Sequence, residues 1–150
     1  MPIQKLAHYS IRTTDLDKSR RFYIDVMGMR EGYRPPFKFP GAWLYLGEDE
    51  SDFGVVHIIG IDPNDTSGLI EYLGEKGSLV EGSGTVDHIA FLSTGVDAFH
   101  ERLRAAGYTW RDRTVPSLSL HQVFVEDPSG VTIEMNFPAC EVEGRTFTNT

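Results

Sequence analysis

The chain has 150 residues, 40% of them hydrophobic and 24% charged, which suits one globular domain large enough to bury its own core. Fourteen Lys and Arg against twenty-two Asp and Glu give a net charge of −8, which argues against a nucleic-acid binder and against an anionic membrane surface as partner. The single cysteine, Cys140, excludes an intrachain disulfide and a thiolate metal cluster; no apolar run nears the ~18 residues of a membrane span and Met1-Pro2-Ile3-Gln4-Lys5 lacks a signal-peptide core, so a cytoplasmic protein is expected.

Leu6 to Arg12 is short and rich in bulky residues, and it predicts a strand. Thr14-Asp15 supplies an N-cap for a helix over Leu16 to Met27, and Gly28 stops it. Met29 to Arg34 reads as extended, Pro35-Pro36 interrupts it, and Ala42 to Leu46 and Gly54 to Ile59 predict two more strands. Residues 61–83 are loop-rich, with a short helix possible over Gly68 to Gly74, and connect two halves. Val86 to Phe91 then predicts a strand, Thr94-Gly95-Val96-Asp97 opens a helix to Ala106, and Gly107 ends it. Tyr108 to Thr114, Leu120 to Glu126 and Val131 to Phe137 predict three further strands, the last two joined by an Asp127-Pro128-Ser129-Gly130 turn. Residues 138–150 are polar and are expected to form a tail.

Each half thus reads strand, helix, strand, strand, strand. His8 and His88 lie 80 residues apart, and Thr14 and Thr94, like Asp17 and Asp97, keep that offset. The expected fold is α+β, one domain over residues 1–137 built from two βαβββ modules at about 5–60 and 84–137.

Four metal-capable side chains fall at matching places in the repeat. His8 and His88 occupy the first strand of each half, and His57 and Glu134 the last. Alternation puts Val55, His57 and Ile59 on one face, and Thr132, Glu134 and Asn136 on one face. A His or Glu amid apolar strand residues is costly to bury alone, and four of them converging on one divalent cation would satisfy one another. Imidazole and carboxylate donors without thiolate suit Zn, Ni, Mn, Co or Fe(II).

Three stretches carry a resemblance. They are His8 through Asp15-Leu16-Asp17 to Phe22-Tyr23-Ile24-Asp25-Val26-Met27-Gly28-Met29, then Asp87-His88-Ile89-Ala90-Phe91, and His121 to Glu134 with its Phe124-Val125-Glu126-Asp127-Pro128-Ser129-Gly130 segment. Over residues 5–137 the chain resembles the vicinal oxygen chelate superfamily, which includes glyoxalase I, methylmalonyl-CoA epimerase, fosfomycin-resistance enzymes, bleomycin-sequestering proteins and type I extradiol dioxygenases. The resemblance implies an incomplete barrel around one divalent metal with His8, His57, His88 and Glu134 as ligands, a small-molecule substrate, and a homodimer. Glyoxalase I carries a glutamate where His57 stands, and the epimerases a glutamine.

Such a metal polarises two adjacent substrate oxygens, so the leading expectation is proton transfer of the isomerase or lyase kind. Glu134 is the first candidate for the catalytic base and His121 the second, with His100 set aside on the exposed face of its helix. Extradiol ring cleavage with Fe(II) is the alternative within enzymes, using His8, His88 and Glu134. Non-catalytic binding of a small molecule is the alternative outside them. Trp43 and Tyr45, on one face of a strand, and Phe124 and Arg111 are candidate substrate contacts, with Arg34 and Arg113 as further carboxylate partners.

Overall fold

Of the Thr14-Asp15 pair at the head of the first helix, Asp15 is the cap, and Thr13 supports it. The Asp15 carboxylate accepts the Lys18 amide at 2.9 Å, and the Thr13 hydroxyl oxygen accepts both the Asp15 amide and the hydroxyl of the fully buried Ser19. The computed structural model describes residues 6–51, 54–73, 82, 86 and 88–147. In it strand β1 (Tyr9–Thr13) leads into helix α1 (Leu16–Arg21), which continues over Phe22–Val26 as a π-helical turn. The sequence predicts one regular helix there. Instead the Met27 amide reaches back to the Phe22 carbonyl, and the wider winding leaves Phe22, Tyr23 and Val26 all buried. Gly28 at φ +74° ends this helix and Gly107 at φ +77° ends its counterpart, a conformation that costs glycine least.

The first sheet adds β2 (Arg30–Gly32), β3 (Gly41–Tyr45) and β4 (Val56–Gly60) in the order β1-β4-β3-β2, with β1 parallel to β4 and the other pairs antiparallel. Helix α2 (Ser67–Leu73) follows, and Leu69 packs with Phe39, Ile59 and Ile61. The second sheet contains β5 (Ile89–Leu92), β6 (Arg111–Val115), β7 (Leu120–Glu126) and β8 (Thr132–Pro138) in the equivalent order β5-β8-β7-β6, with helix α3 (Val96–Ala105) after β5. Asp87, residues 74–81 and residue 83 of the predicted elements lie outside the described residues.

Contacts divide the chain into two units, Met1–Val80 and Glu81–Thr150, and their boundary falls within the stretch read as a connection. In the first unit Ile11, Ala42, Leu44, Val56 and Ile58 share one sheet face and are almost wholly buried, and α1 contacts β3 and β4. In the second, Val123, Val125, Ile133, Met135 and Phe137 form the corresponding face, and Phe99 of α3 meets Phe137 with ring centroids 5.7 Å apart. Each fully buried side chain of this kind contributes roughly 1.5–3 kcal/mol.

The expected polar tail is a working part of the second unit over its described length. Gly95, the residue that starts α3, has no side chain to cap it. The Glu141 carboxylate does so from 46 residues away, accepting the Gly95 and Val96 amides at 2.9 Å each. Val142 is buried, Arg145 pairs with Asp97 at 2.8 Å, and the Phe147 ring lies 4.5 Å from that of His121. Glu141→Ala should therefore cost about 1 kcal/mol in a urea titration, as loss of a helix cap does. An unchanged midpoint would show that water caps α3 equally well.

Candidate metal and substrate site

Register places His57 in the first unit, and Gln122, Glu134 and Asn136 in the second, on the sheet face turned away from the apolar one. In the first unit His57 of β4 lies opposite Ser10 of β1 and Trp43 of β3, and His8 stands two residues before Ser10 on the same side. The three rings stack. Trp43 and His57 have centroids 3.9 Å apart and lie within 5° of parallel, and His57 and His8 follow at 3.8 Å and 16°.

His57 is 7% exposed, and its Nε2 is buried without a hydrogen-bond partner among the described residues. Burial is the main cause that lowers its pKa to about 4, and the neighbouring His8 adds to it; a hydrogen bond with the Gly54 backbone works the other way. The ring is thus neutral, the form of imidazole that binds a metal.

The second unit repeats the arrangement with a different donor. Glu134 of β8 lies opposite Ala90 of β5 and Phe124 of β7, and His88 stands two residues before Ala90. His88 Nε2 is 3.1 Å from Glu134 Oε2. Glu134 Oε1 accepts the Gln122 side-chain amide at 2.9 Å and that of Asn136 at 2.7 Å. The half-buried Phe124 takes the place that Trp43 has in the first unit, with the Arg111 guanidinium 4.4 Å above its ring. The structure thus brings His8 to His57, and His88 to Glu134, each pair within its own unit.

Other expected site residues fall elsewhere. Tyr45 is 2% exposed and its hydroxyl donates to the Tyr33 carbonyl at 2.7 Å, so it packs and does not line an open cavity. Arg34 sits over Phe37 and Phe39 and donates to the Phe39 carbonyl at 2.8 Å. A hollow of about 330 Å³ lined by Pro36, Phe37, Lys38, Phe39, Gly68 and Glu71 lies near the Trp43 end of the stack, Phe37 being 6.2 Å from Trp43.

His121, expected near the substrate, is fully buried and lies opposite Phe137, on the reverse face of the sheet from Glu134. One residue along a strand reverses the face, and Gln122 takes the position facing Glu134. His100, expected to be exposed, is buried beside it. Both Nε2 atoms lie 2.8 Å from the same oxygen of Asp112, whose other oxygen accepts the Trp110 indole N–H at 2.8 Å, and His121 Nδ1 meets the Thr114 hydroxyl at 2.9 Å. Burial works to raise the Asp112 pKa; the hydrogen bonds from His100 and His121 overcome it and hold the carboxyl below its usual value of 3.8.

Among the described residues, only His100, Asp112 and His121 come close enough together to offer a metal three ligands, whereas His8, His57, His88 and Glu134 meet as two separate pairs. Each carboxylate oxygen of the cluster already has a donor, however, whereas His57 Nε2 has none. Gln122 and Asp112 are the residues that sequence reasoning missed. A one-residue step from His121 would have found the first, and nothing in the sequence signals the second.

Residues 5–135 match the model of the Glyoxalase/Bleomycin resistance protein/Dioxygenase superfamily. The chain is 32% identical over 140 residues to the protein named "Probable lactoylglutathione lyase" in Vibrio cholerae, covering 90% of this chain and 91% of that one. It is 30% identical to the lactoylglutathione lyase of Haemophilus influenzae, covering 87% and 90%. The crystal structure of the fosfomycin resistance protein FosX from Listeria monocytogenes has the same fold, with a TM-score of 0.62 at 19% identity over 90% of this chain and 93% of that one.

Proposed function

The chain belongs to the Glyoxalase/Bleomycin resistance protein/Dioxygenase superfamily, and on that premise we propose that it is a metal-dependent enzyme of the isomerase or lyase kind, acting on a small molecule with two adjacent oxygens. His8, His57, His88 and Glu134 are the residues that would hold the divalent cation. The observation that carries this reading is His57: a buried, neutral imidazole with an unpartnered Nε2 is costly unless a ligand satisfies it. The donor set, three imidazoles and one carboxylate, fits a borderline transition metal. When bound, such a cation supplies Lewis-acid stabilisation of the negative charge that develops on a substrate oxygen.

The chain's own residues do the rest. The stack on Trp43 holds the His57 ring in one plane, and the lowered pKa keeps it unprotonated at neutral pH. Phe124 and Arg111 offer a flat apolar surface beside a cation, which suits a substrate carrying a carboxylate. A substrate that would chelate the cation needs only a proton moved, whereas ring cleavage would need dioxygen admitted as well. The names of the Vibrio and Haemophilus relatives point the same way.

Thermal melting tests the reading. A hundredfold excess of Zn, Ni, Mn, Co or Fe(II) over its dissociation constant should raise the melting temperature of the chelated protein by roughly 5–10 °C. A melting temperature indifferent to all five ions sinks the proposal. Solvent deuterium should then enter 2-hydroxy or 2-oxo carbonyl compounds with the loaded protein, and not with Glu134→Gln. Oxygen uptake dependent on a catechol would instead assign ring cleavage.

A further inference from the structure

Glu134 is not simply one of four candidate ligands; it is held by a closed ring of side chains. Gln122 Nε2 donates to Glu134 Oε1 at 2.9 Å and to Asn136 Oδ1 at 3.1 Å, and Asn136 Nδ2 donates to the same Oε1 at 2.7 Å. All three residues are more than nine-tenths buried. The ring also assigns both amides, because turning either one would set an oxygen against the carboxylate or against the other amide oxygen.

We infer that Gln122 and Asn136 are positioning residues that make Glu134 a one-oxygen metal ligand, acting through Oε2. This rests on the metal reading above. A carboxylate oxygen has two lone pairs in its plane, and two amide N–H groups occupy both on Oε1. Only Oε2, 3.1 Å from His88 Nε2, remains for a cation. With Oε1 held by two amides, Glu134 would offer a cation one oxygen and not two, which would leave room for a chelating substrate. Strand geometry makes this possible: Gln122 lies opposite Asn136, and Glu134 is two residues from Asn136 on the same face.

The test is titration of the whole, chelated protein with Co(II), followed by its visible spectrum and by calorimetry. Gln122→Met and Asn136→Leu should each weaken Co(II) binding by about 10–100-fold and alter the position and intensity of the visible bands. Val125→Ala, on the reverse face of β7, should lower the melting temperature yet leave affinity and spectrum as in the wild type. Wild-type affinity and spectrum in both amide variants would overturn the inference and leave the metal reading standing. Equal losses in Val125→Ala would also overturn it, since general loosening would then explain the effect. A wild-type protein that binds no Co(II) overturns both.

Discussion

Replacing His88 by Ala should weaken divalent-metal binding by more than about a hundredfold, while His121→Ala should leave it within about threefold. The two histidines looked comparable in the sequence, each within an apolar strand. They differ in what their rings meet. His88 Nε2 faces Glu134 Oε2 at 3.1 Å and its side chain is 38% exposed, so a cation would have access to it. His121 is fully buried, lies on the reverse face of its strand, and has both ring nitrogens engaged by Asp112 and Thr114. Removing it alters packing and leaves the ligands in place. Calorimetric titration with Ni(II) or Zn(II) reads the difference directly. Equal losses in the two variants would mean that His121 supports the ligand set from behind the sheet; a larger loss in His121→Ala would show that the ligand set is wrong.

The largest loss of stability is expected from Asp112→Ala. One carboxylate there receives two imidazole nitrogens and an indole N–H, each at 2.8 Å, and its side chain is 6% exposed. Without it two buried imidazoles and a half-buried indole each lose a hydrogen bond worth about 1–3 kcal/mol, so the total should reach about 4 kcal/mol and roughly 10 °C in melting temperature. Asp112→Asn keeps one acceptor and should lose about half as much. A loss below about 1 kcal/mol would mean that His100 and His121 find other partners. The same cluster can be tested as a metal site. In the His88→Ala background a chelator should leave the melting temperature unchanged, because the network is complete without an ion. A drop would assign a metal to His100, Asp112 and His121.

Order and type of the elements were open to the sequence because they rest on local rules. Asp15 caps α1, Gly28 and Gly107 close the two helices, and the Asp127-Pro128-Ser129-Gly130 turn forms with Asp127 accepting the Ser129 and Val131 amides at 2.8 Å each. Period-2 alternation also placed Glu134 and Asn136 on one face, and the 80-residue repeat matched His8 with His88. What alternation cannot give is which face turns towards the helices when both carry polar residues. On β7 that choice puts His121 into the interior and Gln122 beside Glu134, and it follows from pairing with β8. Glu141 capping α3, and Asp112 joining His100 to His121, are contacts 45 and 12 residues apart that no local pattern encodes. The sequence by itself determined the α+β repeat and the chemistry of the donors. Tertiary structure decided which polar side chains are spent on holding the core and which stay open to a ligand, because a buried polar atom must find its partner wherever the packed chain supplies one.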